Sequence, residues 1–367
     1  MGSARLAVVS GMSVPSTALS KAPLVTVLTS VFNGARFLDE AIAGIVNQTF
    51  VDFEFLLIDD ASTDATSEIL ASWAGRDPRI RVIRNETNLG LTRSLNKGIR
   101  LARGTWIARQ DADDWSLPER LEKQLAFLEA HPEIGLLGTA AWWMDERSVR
   151  HPVPDLRPAD HVEISWQLLF YSAICHTSAM FPRMLVLTHP YDESWRFGQD
   201  YDLWGRLLRH TRGANLLEPL ICLRRHGERV SALHFERQQQ IGREIGRRRC
   251  RELSPEFSWN DDEIRGVRRF VESEWPNNEA MNPVIPIMGL RLFRAFAGHV
   301  AGDRTVVARL QAPLLRRCWR MLPGFRGQKA PLLPLLKEMW SLAGWGMLGA
   351  LGQVLWGMVR QKIGTRS

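Results

Sequence analysis

Short apolar runs alternate with amphipathic stretches through the first 130 residues of the chain. Each apolar run is rich in β-branched or bulky residues and ends in a polar turn, which predicts a buried strand. Between the runs, apolar residues recur at helical spacing. The predicted strands are 24–31, 53–58, 80–83 and 105–109, and the predicted helices are 36–47, one running through 69–73, and 91–102. This alternation predicts an α/β fold with a doubly wound, mostly parallel sheet.

The length and composition are those of a globular protein with a substantial core. The chain has 367 residues, of which 45% are hydrophobic and 24% charged, and this excludes disordered, collagen-like and disulfide-stapled chains. Because one core stops growing at about 250 to 300 residues, we expect a large domain and a smaller C-terminal unit. Residues 1–22 lack a convincing signal peptide, and we interpret them as a flexible extension. The four cysteines are far apart and form no Cys-x-x-Cys pair, which favours a reducing cytoplasm.

Positive charge is concentrated at the C-terminal end. The whole chain carries 47 Lys and Arg against 40 Asp and Glu, a net charge of +7. From residue 264 onward there are 16 basic and 5 acidic residues, so the body before it is mildly acidic. A basic tail on a mildly acidic body suggests that the tail meets an anionic surface, either phospholipid or nucleic acid. It disfavours a nucleic-acid enzyme, which would be basic throughout. A solvated basic face is the alternative.

Acidic residues cluster directly after two of the predicted strands. Asp59 and Asp60 end the second strand, and Asp111, Asp113 and Asp114 follow the fourth. In open α/β sheets, ligands bind beyond the carboxyl ends of the strands. Crowded carboxylates repel one another unless a cation or hydrogen-bond donors compensate. The pattern therefore predicts a ligand site at this edge of the sheet.

Two long segments closely resemble family 2 glycosyltransferases of the GT-A fold. They are VTVLTSVFNGARFLDEAIAGIVNQTFVDFEFLLIDDASTDAT and NLGLTRSLNKGIRLARGTWIARQDADDWSLPERLEKQLAFL, and a weaker match continues through GQDYDLWGRLL and LRRHGERVS. The resemblance implies a GT-A domain at 23–255, with a nucleotide-sugar half at 23–135 and an acceptor half at 136–255. A basic helical tail at 256–367 follows and matches nothing. The family also implies a nucleotide-diphosphate sugar donor, a divalent cation (Mn²⁺ or Mg²⁺) and an inverting transfer.

The family's DxD element corresponds to Asp111 and Asp113. Carboxylates at i and i+2 in a loop can converge on one hard cation, which bridges the two donor phosphates. Such a cation offsets the charge that develops on the departing nucleoside diphosphate. The resemblance also places His226 near the metal, in a loop that closes over the diphosphate in relatives, and gives Arg225 a donor contact. A structural histidine is the alternative for His226.

The nucleoside contacts implied by the resemblance lie after the first two strands. Asp60 corresponds to a ligand of the base, and Asp59 lies nearer the ribose or belongs to a buried network. Ser30, Phe32 and Asn33 occupy the first nucleotide-facing turn, where the Phe32 ring either stacks on a base or is part of the core. Helix capping, the alternative role for the aspartates, is better filled by Ser62 or Asp64.

Basic residues near these clusters are candidates for the phosphates. Arg93 and Lys97 are four residues apart on the third predicted helix, so they project from one face. Arg93 is the stronger candidate. Arg109 precedes the acidic loop and either contacts phosphate or neutralises the acidic cluster.

The candidate catalytic base is Asp200. The segment Gln199-Asp200-Tyr201-Asp202-Leu203-Trp204 resembles the family's Glu-Asp-Tyr-Asp-Leu-Trp, whose second residue takes the proton from the attacking hydroxyl. One carboxylate suffices for inversion because no covalent intermediate is needed. Asp202 competes for this role, and its alternative role is to stabilise the start of a helix. Gln199 replaces the family's Glu and removes one charge beside the base.

The tail contains a candidate membrane-associating segment. Residues 339–359 are uncharged, and a span needs about 20 such residues, but several glycines and scattered tryptophans dilute the segment. The preceding 309–329 is basic and amphipathic, which suits anionic headgroups. We therefore expect membrane association without a committed span, and a helical subdomain packed on the catalytic domain is the alternative.

The sequence as a whole predicts an inverting, metal-dependent glycosyltransferase on the cytoplasmic face of a bacterial membrane. It would add one sugar to a surface polysaccharide or a lipid-linked glycan precursor, with no nucleic-acid partner. No Arg-Trp dipeptide occurs, which favours single addition over processive synthesis. The alternatives are a sugar nucleotidyltransferase, which would need a Gly-rich phosphate loop after the first strand, and a non-catalytic module that kept the fold.

Overall fold

The structure is a computed structural model that describes residues 22–227, 234–272, 282, 284–300, 304–321 and 329–343. Residues 1–21 of the predicted extension and residues 344–359 of the segment 339–359 lie outside the described residues. Within them the strands are β1 (Val25–Val31), β2 (Phe53–Asp59), β3 (Ile80–Arg84), β4 (Trp106–Arg109), β5 (Trp115–Ser116), β6 (Ile134–Met144), β7 (Met180–Pro182) and β8 (Arg212–Arg224).

The helices alternate with the strands in the first half and dominate the end of the chain. They are α1 (Ala35–Val46), α2 (Thr66–Arg76), α3 (Leu91–Leu101), α4 (Arg120–Ala130), α5 (His161–Gln167), α6 (Arg183–Thr188), α7 (Gln199–Leu207), α8 (Phe235–Leu253), α9 (Asp261–Glu272), α10 (Val284–His299), α11 (Arg304–Met321) and α12 (Lys329–Ala343), with a short 3-10 turn at His176–Ser178. The four predicted strands and three predicted helices of the first half are all present.

One mixed sheet of eight strands organises the chain between residues 25 and 224, in the order β3-β2-β1-β4-β7-β6-β8-β5. The pairs β1–β2, β2–β3, β1–β4 and β6–β8 are parallel, whereas β7 pairs antiparallel with both β4 and β6, and β5 pairs antiparallel with β8. The α/β class with its Rossmann-like parallel half is therefore confirmed. The antiparallel strands extend the sheet beyond the predicted parallel core.

Helices cover both faces of the parallel half because alternate strand residues point to opposite sides. Leu28 and Leu56 pack in one buried cluster with Leu95 of α3, whereas Val27 packs in another with Leu38 of α1. Strands buried on both faces are typical of parallel sheets.

The C-terminal helices in the described ranges pack against α5 and the residues just after it. A third cluster joins Trp166 of α5 and Phe170 to Phe270, Phe293 and Leu335 of the C-terminal helices. This matches the alternative of a helical unit packed on the catalytic domain. None of the helices in the described ranges is both long and apolar enough to cross a membrane.

Candidate active site

The ends of β1, β2 and β4 bring the predicted donor residues to one edge of the sheet. Val31 is in register with Asp59, and Leu28 with Arg109. The Asp60 N–H donates to the Val31 carbonyl at 2.8 Å, and the Gln110 N–H to the Leu28 carbonyl at 3.1 Å. The two acidic clusters therefore flank the turn after β1.

Asp59 belongs to a buried network. Its carboxylate accepts hydrogen bonds from the Ser62 N–H at 2.9 Å and the Ser67 hydroxyl at 2.6 Å, and it pairs with Arg84 at 2.9 Å. Burial favours the neutral acid, but the bonds from Ser67 and Ser62 and the charge of Arg84 outweigh it, so the pKa of Asp59 is lowered. Asp59 is thus a fixed carboxylate that anchors the turn into α2.

Asp60 is also buried, and it organises the connection from β3 to α3. One carboxylate oxygen accepts from the Asn85 side chain at 2.6 Å, the Leu89 N–H at 2.8 Å and the Ser94 hydroxyl at 2.9 Å. The other oxygen accepts from the Gly90 N–H at 2.8 Å. Asn85 and Ser94 were missed in the sequence analysis, although Asn85 follows β3 just as Asp60 follows β2.

The two candidate phosphate-binding residues of α3 have different surroundings. Lys97 donates to the Asn85 side-chain oxygen at 2.7 Å, which ties it to the Asp60 network. Arg93 is exposed and lies 3.4 Å from Glu193. A role for either residue toward phosphates remains a prediction.

The turn after β1 presents an aromatic side chain to solvent. Phe32 is 49% exposed, so it is not part of the core. Asn33 has a φ of 51°, in the left-handed region that asparagine tolerates better than most residues. Its side-chain oxygen accepts from the Thr63 N–H at 2.8 Å, which joins the turns after β1 and β2. Ser30 lies in β1 opposite Ile58.

The acidic loop after β4 is held from both sides. Arg109 is fully buried and pairs with the Asp111 carboxylate, so it neutralises the cluster. The Asp111 N–H donates to the Thr177 hydroxyl at 2.8 Å. Asp114 is buried and accepts from the Arg224 N–H at 2.9 Å.

His226 and Asp113, two of the three predicted metal ligands, lie together. His226 Nε2 and Asp113 Oδ2 are 3.0 Å apart, and the imidazole packs on Phe37. In the described part of the chain, buried His226 Nδ1 has no hydrogen-bond partner. Arg225 is exposed and lies over the Trp143 ring, 4.2 Å from its centroid.

The metal-binding capacity of this loop comes from few protein groups. Among the described residues, no group of three or more His, Cys, Asp or Glu side chains is arranged to hold an ion. Mg²⁺ in nucleotide enzymes is usually held by one or two carboxylates, substrate phosphates and water. Asp113 and Asp111, each about one-third exposed, fit that donor set.

Asp200 lies at the start of α7, directly after a turn that requires glycine. Gly198 has a φ of +68°, and a Cβ there would approach Ile241 to 3.1 Å. Asp200 Oδ2 is 3.5 Å from the Ser172 hydroxyl. Burial raises the pKa of Asp200, and the negative charge of Asp111 raises it further.

Asp202 has a different environment from its competitor. It is buried, accepts from Arg206 at 2.7 Å and pairs with Arg248 of α8. The pair with Arg248 joins α7 to α8, whereas Arg206 lies on α7 itself, so Asp202 has a structural role. The role of Asp200 as a base stays a prediction.

Residues 172–178 connect Asp200 to the acidic loop after β4, and they were not singled out from the sequence. At one end the Ser172 hydroxyl faces Asp200, and near the other Thr177 accepts from the Asp111 N–H. The Ser178 hydroxyl accepts from the Thr139 N–H at 3.0 Å, which fixes this segment to β6. Without periodicity or a charged motif, the segment gives no sequence signal of its own.

Comparisons with known proteins identify the family. The family model described as "Glycosyl transferase family 2" matches residues 26–187. An uncharacterized glycosyltransferase of Haemophilus influenzae is 31% identical over 239 residues, which are 62% of this chain and 74% of the relative. A second one, MJ1057 of Methanocaldococcus jannaschii, is 32% identical over 223 residues, 60% of this chain and 76% of the relative.

The chain belongs to glycosyltransferase family 2. This confirms the predicted family and the predicted enzyme class. AmsE of Erwinia amylovora, named an amylovoran biosynthesis glycosyltransferase, is 29% identical over 212 residues, 56% of this chain and 78% of the relative.

The fold of this family 2 chain also agrees with a solved structure. S. aureus TarS 1–349, in a complex with UDP-GlcNAc, superposes with a TM-score of 0.53 at 17% identity, covering 86% of this chain and 89% of that one. At this identity the likeness concerns the fold alone, and it agrees with the predicted GT-A class.

Proposed function

We propose that this family 2 enzyme is an inverting, metal-dependent glycosyltransferase that moves one sugar from a nucleotide-diphosphate sugar to an acceptor hydroxyl. The observation that carries the proposal is the double contact of residues 172–178. Thr177 contacts the acidic loop near one end of the segment, and Ser172 faces Asp200 at the other. A sugar between them would meet both the diphosphate end and a base.

Asp200 acts as the base in this scheme. The acceptor oxygen attacks the anomeric carbon from the face opposite the diphosphate, a new C–O bond forms, and the bond to the phosphate oxygen breaks. Asp200 takes the proton of the attacking hydroxyl, so the configuration inverts in one step. A carboxylate with a raised pKa is a stronger base than an exposed aspartate, and burial supplies that increase here.

The nucleoside binds at the turns after β1 and β2. The exposed ring of Phe32 is free to stack on a base, and the neighbouring Asn33 and Ser30 line the same turn. Asp59 and Asp60 shape this pocket through their hydrogen bonds, and Arg93, Lys97 and Arg225 are the basic residues available to the donor.

A divalent cation, Mn²⁺ or Mg²⁺, would be held by Asp111, Asp113 and His226. The meeting of Asp113 and His226 supports this assignment. When bound, the ion supplies Lewis acidity that offsets the charge on the departing nucleoside diphosphate. Arg109 holds Asp111 in the loop, and Asp114 secures the loop to β8 through Arg224.

The acceptor is a growing surface polysaccharide or a lipid-linked glycan precursor. The name of AmsE, which refers to the biosynthesis of amylovoran, supports a role of this kind. We place the enzyme at the cytoplasmic face of a bacterial membrane as a peripheral protein, with the basic tail as its contact.

A thermal-shift experiment tests the donor and the metal together. Purified protein is heated with UDP, GDP, dTDP, ADP and CDP, each with and without Mn²⁺. We expect one nucleotide to raise Tm by about 5 °C at saturating concentration, only with metal, because a ligand stabilises the folded state it binds.

The controls separate metal binding from folding. Asp113→Asn should keep the melting temperature of the free protein and lose most of the metal-dependent rise. If all five nucleotides leave Tm unchanged, or the rise persists in EDTA, the metal-dependent assignment is wrong.

Inversion is read from the anomeric configuration of the product by NMR, and a retained configuration would refute it.

A further inference from the structure

His176 and Tyr191 form a buried pair that the proposed mechanism does not use. The imidazole Nε2 and the phenol oxygen are 2.8 Å apart. Both groups are surrounded by protein, yet part of the His176 surface stays accessible. The His176 residue is therefore nearly enclosed by protein but not completely sealed from solvent.

The pair is rigidly held. The Tyr191 N–H donates to the Asn96 side-chain oxygen at 3.1 Å, and the Asn96 amide donates back to the Tyr191 carbonyl at 2.9 Å. His176 starts the 3-10 turn whose next residue, Thr177, contacts the Asp111 loop. Its ring packs edge-on against Trp204.

The pair lies near both Asp200 and the acidic loop after β4. Tyr191 is within electrostatic range of both Asp200 and Asp111, and His176 is within range of Arg109 and Asp111. A sugar that reaches both Asp200 and the acidic loop would pass close to the His176 ring.

The hydrogen-bond inventory selects one tautomer. The phenol of Tyr191 carries one hydrogen and is buried, and burying it without an acceptor is costly. His176 Nε2 is the acceptor that the described residues offer to it. Nε2 must then carry a lone pair, which puts the imidazole hydrogen on Nδ1.

Among the described residues, none accepts a hydrogen bond from Nδ1–H of His176. Nδ1 is also absent from the buried polar atoms that lack a partner, which fits a nitrogen that keeps some access to solvent. Burial and the nearby Arg109 lower the pKa of His176 to about 3, so the ring is neutral. A neutral donor suits an uncharged hydroxyl better than a phosphate.

We propose that His176 binds a sugar hydroxyl at the point of transfer through its Nδ1–H, and that Tyr191 fixes the tautomer that presents this hydrogen. The inference rests on the proposed function, because it needs a sugar between Asp111 and Asp200. The hydroxyl belongs either to the transferred sugar or to the acceptor sugar.

The tautomer is measured directly on the protein alone. In ¹⁵N-labelled wild type, histidine NMR should show His176 with its hydrogen on Nδ1. In Tyr191→Phe the constraint on Nε2 is gone, and a mixture of tautomers is expected. Wild-type protein with the hydrogen on Nε2 would overturn the inference.

Two substitutions test the sugar contact. His176→Phe keeps an aromatic ring on Trp204 but removes the donor, and His176→Asn keeps an N–H near the Nδ1 position. Binding is measured for UDP-N-acetylglucosamine, GDP-mannose and dTDP-glucose against UDP, GDP and dTDP. The KM of the acceptor is measured with whichever donor turns over.

We expect His176→Phe to bind the sugar-free nucleotide like wild type. Loss of one neutral hydrogen bond should weaken nucleotide-sugar binding, or raise the acceptor KM, by about fivefold to tenfold. Weaker nucleotide-sugar binding would mean that the hydroxyl belongs to the transferred sugar. A higher acceptor KM would mean that it belongs to the acceptor. His176→Asn should recover most of either loss.

The outcomes separate this inference from the proposed function. If wild type binds a nucleotide-sugar and transfers it, but His176→Phe matches wild type in both measurements, only the His176 contact is refuted. If wild type binds no nucleotide-sugar, the proposed function fails, and the sugar contact fails with it.

Discussion

Asp200 and Asp202 are two residues apart, yet their surroundings are different. Asp200 has a raised pKa and faces a single hydroxyl, whereas Asp202 is paired with two arginines. The sequence alone could rank these carboxylates only by resemblance, because the partners that distinguish them come from residues 172 and 248. The same is true of Arg109, whose burial against Asp111 decides between the two roles considered for it.

At the residue scale, Asp200→Asn should abolish transfer and stabilise the protein near pH 7. A general base contributes about 10² to 10⁴ in rate. Because the folded pKa lies above the ordinary value of 3.8, folded wild type retains its proton longer than the unfolded chain. Its stability therefore falls as the pH rises from the unfolded toward the folded pKa, and stays lower above that window. Asparagine cannot ionise and avoids this loss.

The pH dependence of kcat and the Tm at pH 7 check this prediction. The acid limb of wild-type kcat should lie above the ordinary aspartate range. Asp202→Asn is the matched control, and it should lower Tm because it weakens two ion pairs. Transfer by Asp200→Asn at the wild-type rate would show that Asp200 is not the base.

At the scale of elements, the strong alternation of the first half explains why its strands and helices could be predicted. Strands buried on both faces leave continuous apolar runs, as β2 does. The strand β7 has only three residues and pairs antiparallel with β4 and β6. Such a short strand has no periodicity, so its place in the sheet depends on tertiary contacts that a sequence pattern does not contain.

Asp60 joins three elements, and its loss should destabilise their connection. Asp60→Ala leaves four donors without their acceptor, two of them the backbone N–H groups of Leu89 and Gly90. The Asn85 and Ser94 donors are buried, and each unsatisfied buried donor costs about 1 to 3 kcal/mol, so we expect a loss of at least about 2 kcal/mol in the free energy of unfolding. Chemical denaturation measures this loss.

A conservative change separates the network from direct nucleotide contact. Asp60→Asn keeps one acceptor oxygen and should recover part of the stability, and Asp52→Ala, at an exposed position outside the network, should have little effect. If Asp60→Ala unfolds at the wild-type denaturant concentration, the carboxylate does not organise this connection, and its role is limited to the ligand.

At the scale of the whole molecule, the tail combines buried apolar residues with exposed basic ones. Leu314 and Cys318 of α11 are buried in the cluster that contains Trp166, whereas Arg304 and Arg316 of the same helix are exposed. Charge counting revealed the basic tail, but not which of its residues pack inward. That division follows from contacts with α5, which lies about 150 residues earlier in the chain.

The exposed arginines of α11 should bind anionic membranes. We expect the full chain to sediment with vesicles of phosphatidylcholine and phosphatidylglycerol and to remain in solution with phosphatidylcholine alone. Because each basic residue near an anionic surface contributes about 1 kcal/mol, reversing two charges in Arg304→Glu/Arg316→Glu should weaken binding by at least about tenfold. Raising the salt concentration should weaken wild-type binding in the same direction.

The control makes the same charge change elsewhere on the molecule. Arg103 and Arg147 are exposed on the catalytic half, so Arg103→Glu/Arg147→Glu alters net charge equally without touching the tail. Near-wild-type binding by this control, with loss in the tail variant, would locate the contact on α11. Equal loss in both variants would mean that net charge alone attracts the protein, and no binding of wild type to anionic vesicles would refute the membrane contact.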